Sequence, residues 1–253
     1  MAAAQSEPKK LLILGGTGEA AALARRLTGD PRLTVITSLA GRTRDPAKVA
    51  GTVRVGGFGG AVGLATYLDE ESISLLIDAT HPFAAQMAAN AAQACAECGV
   101  PRVKLLRPAW QAMQSDNWIE VPDMKAAAEA VARSGTRAFL SVGRQDLSAF
   151  AELENIWFLV RSIEPLEAPC PLVRAQIIQG RGPFSEAAEV ALLKEHRIDV
   201  LVSKNSGGEA TTAKIAAARR LGLPVVMIAR PQAPAGETVQ TVDEAMAWIG
   251  ERL

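Results

Sequence analysis

The chain has 253 residues, enough to bury one large hydrophobic core or two smaller ones. Its 27 lysines and arginines balance its 27 aspartates and glutamates, so no overall field attracts nucleic acid or an anionic membrane surface. Residues 1–10 lack the apolar core that a signal peptide would have, and no apolar run approaches the ~20 residues that cross a bilayer. Three cysteines in a chain of this length do not suggest a disulfide framework. We expect a cytoplasmic protein that binds neither nucleic acid nor membrane, and we also expect a monomer.

The first predicted element is a strand that ends in a glycine-rich turn. The apolar run 11–14 leads into Gly15 and the string GTGEAA at 16–21, which matches G-x-G-x-x-G/A, and an Ala-rich helical pattern follows. Glycine lets the chain reverse off the strand and lets backbone N–H groups approach a pyrophosphate at the positive end of the next helix. The alternative is a purely structural strand–helix turn. We predict a dinucleotide site at Gly15, Gly16, Thr17, Gly18 and Glu19.

The second predicted strand ends at Ser38 and indicates which dinucleotide binds. An NAD site usually has Asp or Glu about 20 residues after the glycines, where it accepts hydrogen bonds from the ribose. Here no carboxylate follows until Asp45. Because an arginine flanked by hydroxyls suits a phosphate, we interpret Ser38, Arg42 and Thr43 as a pocket for the 2′-phosphate of NADPH. The alternative is that Arg42 and Arg44 are solvated loop charges.

Apolar strand-like runs alternate with Ala-rich helical patterns along nearly the whole chain, which is typical of doubly wound parallel sheets. Further strands are predicted at 52–57, 75–80, 102–105, 137–143, 156–161, 177–178, 199–203 and 224–228, and helices at 61–71, 83–99 and 242–253. We predict an α/β fold of two Rossmann-like lobes, each with a parallel sheet, and an intervening cleft. Residues 1–130 are the predicted NADP(H)-binding lobe and residues 131–253 the substrate-binding lobe, with a crossover within 107–123.

Ligands of open α/β sheets bind beyond the carboxyl ends of the strands, so the residues after each strand are candidates. In the first lobe, Thr80, His81 and Phe83 follow a buried strand. We assign Thr80 and His81 to the cofactor and Phe83 to the substrate. Because histidine titrates near neutral pH, His81 could also transfer a proton. The alternative is that it is a capping or packing residue.

A second glycine-rich turn follows the strand at 199–203. The residues Lys204, Asn205, Ser206, Gly207 and Gly208 precede a helical pattern. They can form an anion-binding nest at a helix N-terminus, with Lys204 adding charge. The alternative is that the segment is an ordinary helix start capped by Thr211 or Thr212.

Four basic residues each follow a predicted strand of the second lobe: Arg144, Arg161, Arg181 and Lys204. A surface arginine or lysine is usually solvated, but clustering of this kind in a neutral chain indicates one basic wall for a polyanionic substrate.

Cys95 and Cys98 form a C-x-x-C string inside a helical pattern, with no second cysteine pair or nearby histidine. We expect ordinary reduced thiols and no metal site.

Four strings together resemble the precorrin-6A reductase family of cobalamin biosynthesis: LGGTGE at 14–19, DATHPFA at 78–84, GRQ at 143–145 and SKNSGG at 203–208. The similarity covers nearly the whole chain, and DATHPF and SKNSGG are far more specific than the glycine loop. The resemblance implies an NADPH-dependent oxidoreductase that reduces one double bond of the precorrin-6A macrocycle to give precorrin-6B. It implies hydride transfer to one ring carbon and proton addition to its neighbour. It also implies a tetrapyrrole with acetate and propionate arms, bound with the cofactor between two Rossmann-like lobes.

Several points stay open. The macrocycle can be metal-free or contain cobalt, and we favour the metal-free form. The proton donor can be His81, Asp146 or Glu209, but also solvent or a carboxylic acid of the substrate.

One alternative function is a redox-sensing module that binds NADP(H) without turnover. Another is a reductase of a smaller carbonyl compound, which is disfavoured because Tyr67 does not begin a Tyr-x-x-x-Lys pair.

Overall fold

A computed structural model of the chain describes residues 7–41, 49–166 and 169–253. The strands within these ranges are β1 Lys9–Leu14, β2 Leu33–Leu39, β3 Thr52–Val55, β4 Ile73–Asp78, β5 Arg102–Leu105, β6 Asn117–Val121, β7 Arg137–Ser141, β8 Trp157–Ser162, β9 Ala175–Gln179, β10 Val200–Lys204, β11 Pro224–Ile228 and β12 Glu237–Val239. The helices are α1 Gly18–Leu27, α2 Gly60–Glu70, α3 Ala85–Cys98, α4 Met124–Ser134, α5 Glu186–Glu195, α6 Ala213–Leu221 and α7 Val242–Gly250, with a 3₁₀ helix at Arg144–Phe150.

The strands form two six-stranded sheets in which every pair of neighbours is parallel. The strand orders are β12-β5-β4-β1-β2-β3 and β6-β11-β10-β7-β8-β9. In the first sheet the direction of winding reverses between β1 and β4, and in the second between β7 and β10. Such a switch point is where open α/β sheets bind ligands. The predicted α/β class with two Rossmann-like parallel sheets is confirmed.

The chain divides into two compact units, one formed by Met1–Arg107 with Pro231–Leu253 and the other by Pro108–Arg230. This division differs from the predicted single boundary at residue 130. β6 precedes that boundary and α4 spans it, yet both belong to the second unit, whereas β12 and α7 return to the first. Sequence reasoning missed β6 because it lies in the segment interpreted as a crossover. It missed β12 because a strand of only three residues carries no apolar pattern.

Burial on both faces of the first sheet explains why β1 has an uninterrupted apolar sequence. Leu11 and Ile13 belong to a core cluster with residues of α1 and α7, and Leu12 and Leu14 to a cluster with residues of α2 and α3. In the second unit, one face of the sheet packs Phe139 of β7 and residues of β8, β10 and β11 against α5 and α6. Both switch points are therefore held in place by packed helices.

Cys95 and Cys98 lie on α3 and are free thiols. Burial raises the pKa of Cys95 to about 12, which disfavours a reactive thiolate. Within the described ranges, no group of three or more histidines, cysteines or carboxylates is arranged to hold a metal ion. None of the helices in the same ranges is both long and apolar enough to cross a membrane.

Candidate functional site

The glycine-rich turn after β1 passes very close to β2. The Gly15 N–H donates to the Ser38 carbonyl at 2.9 Å, and a Cβ at Gly15 would lie 3.0 Å from Thr37 Cγ2. Gly16 has a φ of +105°, which favours glycine. A Cβ at Gly16 or Gly18 would meet nothing within 4 Å, so both residues present open backbone. This combination of a close approach and an open face is what a pyrophosphate-binding turn requires.

Thr17 caps α1 and ties the turn to β4 across the switch point. Its hydroxyl accepts a hydrogen bond from the Ala20 N–H at 3.2 Å and donates one to the Ala79 carbonyl at 2.8 Å.

In the first turn of α1, the Glu19 carboxylate accepts a hydrogen bond from Arg107 at 2.8 Å. Arg107 thus offsets a negative charge next to the predicted pyrophosphate position. Sequence reasoning did not single out Arg107.

A buried polar network follows β4, and sequence reasoning missed it. Asp78 is fully buried, and its Oδ1 accepts hydrogen bonds from the Thr80 backbone N–H at 3.1 Å and hydroxyl at 2.7 Å. Lys104 donates to Asp78 Oδ2 at 2.9 Å and to Thr80 Oγ1 at 3.1 Å. The Thr80 hydroxyl is therefore engaged within the unit and holds the backbone of this turn in place. The signal for this network is a lysine inside an apolar strand, because a buried ammonium needs a partner.

His81 and Phe83 lie in the turn between β4 and α3. The Phe83 N–H donates to His81 Nδ1 at 3.3 Å, and the two ring centroids are 5.9 Å apart. Because Nδ1 accepts, a neutral His81 carries its proton on Nε2. α3 begins at Ala85, two residues later than predicted, so Phe83 belongs to the preceding turn.

The end of β2 carries a positive charge that sequence reasoning missed. Arg54 on β3 is paired with Ser38 in the register of the two strands, and its guanidinium lies 3.4 Å from the buried Ser38 hydroxyl. Arg54 also donates to the Gly56 carbonyl at 2.7 Å and the Gly57 carbonyl at 2.9 Å, and it stacks 3.9 Å from the centre of the Phe58 ring. Of the predicted 2′-phosphate pocket, Arg42 and Thr43 lie outside the described residues.

At the second switch point an ion pair joins the segments that follow β7 and end β10. Lys204 donates to Asp146 Oδ2 at 2.8 Å, and both side chains are about four-fifths buried. A Cβ at Gly143 would lie 2.9 Å from the same Asp146 oxygen. Asp146, one predicted proton donor, is thus engaged by Lys204, while Glu209, another, lies exposed.

The second glycine-rich turn packs against the segment that contains Trp110. Asn205 accepts from the Trp110 backbone N–H at 2.8 Å and donates to its carbonyl at 3.1 Å, and the indole N–H donates to the Gly208 carbonyl at 2.9 Å. At Gly207 the φ is +65°, and a Cβ there would lie 2.0 Å from the Pro108 carbonyl oxygen. Ser206 is buried.

The start of α6 differs from the predicted nest at a helix N-terminus. The helix begins at Ala213, so residues 209–212 separate it from the glycine turn. Thr212 occupies the N-cap position without a capping side-chain hydrogen bond, so the alternative of a threonine cap is not realised by that residue. The turn is shaped by its contacts with Trp110 and Pro108, which are distant in sequence.

The predicted basic cluster divides into different environments. Arg161 is nearly buried and makes two hydrogen bonds to Glu189, at 2.7 and 3.1 Å, with the Phe184 ring centre 4.0 Å away. Its charge is balanced by this buried carboxylate, and its expected contact with an anionic ligand stays a prediction. Arg144 donates to the Pro165 carbonyl at 3.4 Å, and the exposed Arg181 lies 3.9 Å from Glu164.

Lys214, in the first turn of α6, is a buried cation that sequence reasoning missed. The residue is 6% exposed, and its ammonium lies 5.4 Å from the centre of the Trp110 ring. Burial lowers the pKa of Lys214 to about 8; the charge of Arg161 acts in the same direction, and that of Glu189 opposes it.

Comparison with known proteins identifies the family. The model of the precorrin-6x reductase CbiJ/CobK family matches residues 10–250. A precorrin-6A reductase of Rhodococcus erythropolis is 51% identical to this chain, and the match covers 95% of this chain and 97% of the relative. A precorrin-6A reductase of a Sinorhizobium species is 46% identical, and the match covers 98% of this chain and 95% of the relative. A solved structure of CobK precorrin-6A reductase has 42% sequence identity and a TM-score of 0.90, with 96% of each chain covered. The chain belongs to the precorrin-6x reductase CbiJ/CobK family.

Proposed function

We propose that this oxidoreductase uses NADPH to reduce one double bond of the precorrin-6A macrocycle, giving precorrin-6B in cobalamin biosynthesis. The observation that carries the proposal is family membership over residues 10–250. The DATHPF and SKNSGG strings, which carry the resemblance, begin at the carboxyl ends of the switch-point strands β4 and β10 and continue into the turns after them. Because the two relatives compared above are named precorrin-6A reductases, we propose the metal-free macrocycle as substrate. The cytoplasmic location and the monomeric state remain predictions from composition.

The first unit fits a nicotinamide dinucleotide at the turn after β1. Gly16 and Gly18 present open backbone at the N-terminus of α1, which favours a pyrophosphate. The residues proposed to contact the cofactor are Gly15, Gly16, Thr17, Gly18, Glu19, Ser38, Arg42, Thr43, Thr80 and His81. NADPH is favoured over NADH because no carboxylate ends β2 and because Arg54 places a guanidinium beside Ser38.

The chemistry requires orientation and one proton. NADPH supplies the hydride when bound, and an electron-poor macrocycle accepts it without a further cofactor. The Asp78–Lys104–Thr80 network holds the turn that carries His81, and a neutral His81 has its proton on Nε2. Among the candidate proton donors we favour His81 over Asp146, because the Asp146 carboxylate pairs with Lys204.

The acetate and propionate arms of the substrate require cationic and N–H donors. In the second unit, Arg144 and Arg181 are proposed to supply charge, together with Lys204, which also pairs with Asp146. The turn after β10 is proposed to supply backbone and amide donors. Phe83, Asn205, Ser206, Gly207 and Gly208 remain proposed substrate contacts. Arg161 was also predicted to contact the substrate. Because its guanidinium pairs with Glu189, we propose that it acts through this ion pair and not by direct contact.

The test is to follow oxidation of NADPH spectroscopically when precorrin-6A is added, with NADH in a parallel reaction. We expect oxidation that depends on the macrocycle and is much faster with NADPH. Folded protein that binds NADP⁺ but never oxidises NADPH would refute the reductase proposal and would favour a redox-sensing module. Equal rates with NADH would refute the proposed 2′-phosphate pocket alone.

A further inference from the structure

The buried charges in the second unit do not balance. Arg161 and Glu189 neutralise each other through two hydrogen bonds, and their side chains are 10% and 2% exposed. Lys214 adds a further positive charge beside them. Among the residues that the structure describes, no carboxylate pairs with Lys214 and no acceptor receives a hydrogen bond from its ammonium.

An ammonium in this environment is costly without an anion. Lysine is almost never fully buried unless it is paired, because removal of a charge from water carries a large penalty. The Trp110 ring, 5.4 Å away, offers a cation–π contact but accepts no N–H···O hydrogen bond. The pKa of Lys214, lowered to about 8, reflects the same unfavourable burial.

The position of Lys214 relates it to ligand binding. Trp110 is fixed by Asn205 and Gly208 of the glycine turn after β10, so Lys214 contacts the residue that shapes this turn. The turn lies at the carboxyl end of a switch-point strand, where parallel sheets bind ligands.

We propose that Lys214, with the Trp110 face beside it, forms a subsite for one carboxylate arm of the tetrapyrrole. The proposal rests on the proposed function for the identity of that ligand. A carboxylate at Lys214 supplies both the missing negative charge and the missing hydrogen-bond acceptor. The subsite would take its cation from Lys214, whereas Arg161 would keep its ion pair with Glu189.

The test compares Lys214→Met with Lys214→Arg, and uses Lys194→Met as the control because Lys194 is exposed at the end of α5. Without ligand, Lys214→Met should raise the melting temperature by about 3 °C at pH 7, because it removes an unpaired buried charge. The difference in melting temperature between Lys214→Met and the unaltered protein should shrink as pH rises from about 8 towards 10.5. In this range the unfolded chain binds the proton that folded Lys214 has released, so the unaltered protein becomes more stable with increasing pH.

With precorrin-6A, Lys214→Met should raise KM about tenfold or more with little change in kcat. Lys214→Arg should retain more of the affinity, and Lys194→Met should match the unaltered protein. A binding measurement without turnover uses uroporphyrin III, a tetrapyrrole with acetate and propionate arms. Its dissociation constant should rise by a similar factor in Lys214→Met.

A lower melting temperature for Lys214→Met with unchanged KM would show that the ammonium is structural and would overturn the inference. An unchanged affinity for uroporphyrin III, or no binding by the unaltered protein, would also contradict it. The two proposals can fail separately. If the unaltered protein binds uroporphyrin III but never oxidises NADPH with precorrin-6A, the proposed function is wrong. The subsite is then still tested by the dissociation constants of uroporphyrin III for the unaltered protein and for Lys214→Met.

Discussion

Arg54 is held in one orientation by two carbonyl oxygens and an aromatic ring, next to the hydroxyl that ends β2. Such a fixed guanidinium carries little conformational cost when it meets a phosphate, and its planar array of donors matches phosphate oxygens. Under the proposed function, we therefore expect Arg54 to discriminate between NADPH and NADH.

Replacement of Arg54 by methionine should weaken NADPH binding about tenfold and leave NADH binding nearly unchanged, because only NADPH carries the 2′-phosphate. The affinities for adenosine 2′,5′-bisphosphate and adenosine 5′-phosphate, measured by calorimetry, isolate this effect from turnover. Arg133→Met serves as a control, since Arg133 is exposed on α4 in the other unit. An equal loss for both nucleotides would mean that Arg54 only shapes the turn at Gly56 and Gly57.

At the scale of single residues, the sequence shows which side chains have suitable chemistry but not which charges are neutralised. Arg161 and Lys204 both lie at the carboxyl ends of strands, yet the carboxylate partner of Arg161 is buried and that of Lys204 is partly exposed. Glu189 lies 28 positions from Arg161, on a helix whose packing brings the two together. No local pattern reports a contact of this kind.

At the scale of elements, the turn after β10 illustrates how a motif depends on distant chain. Gly207 and Gly222 both have a φ of +65°, but only a Cβ at Gly207 would meet backbone, 2.0 Å from the Pro108 carbonyl oxygen. A Cβ at Gly222, the C-cap of α6, would meet nothing within 4 Å. A substitution at Gly222 therefore tests backbone strain alone, whereas one at Gly207 tests the same strain together with a steric clash.

Gly222→Ala should lower the free energy of unfolding by about 1 kcal/mol, which is the cost of a left-handed conformation for alanine. Gly207→Ala should lower it by roughly 3 kcal/mol or more and change the fluorescence of tryptophan, because the turn must move away from Pro108 and Trp110. Urea denaturation of both variants measures the difference. Equal losses would contradict the close contact at Gly207.

The boundaries of elements were predicted within a few residues where apolar runs are long. β7, β10, β11 and α2 agree well with their predicted ranges. The starts of α3 and α6 differ because each helix follows a turn that is held by hydrogen bonds to other segments: from Lys104 of β5 to Thr80 before α3, and from Trp110 to Gly208 before α6. Helical periodicity does not record where such a turn ends.

At the scale of the whole molecule, the last 23 residues belong to the first unit although the second unit intervenes in the chain. β12 pairs with β5, and Ala245, Trp248 and Ile249 of α7 are buried in the core cluster that also contains residues of β1 and α1. The first sheet is incomplete without this segment.

A chain that ends at Arg230 should therefore be less stable in the first unit. β5 would lose its neighbouring strand β12, and the core cluster would lose the buried side chains of α7. Hydrogen exchange should become much faster in β5 and α1 than in β7 and β10. A chain that ends at Gly250, which keeps β12 and α7 whole, is the control. Unchanged exchange in the shorter chain would contradict the structural role of the segment.

The class of fold, most of its strands and the family resemblance followed from the amino-acid sequence, because apolar runs report burial locally and the two specific strings are contiguous. The tertiary structure decided how the strands divide between the sheets, since pairing of β12 with β5 joins segments more than 130 residues apart. It also decided that Arg161 is neutralised and that Lys214 is buried without a partner among the described residues. Burial and ion pairing depend on what surrounds a side chain in space, and for these residues the surroundings come from distant parts of the chain.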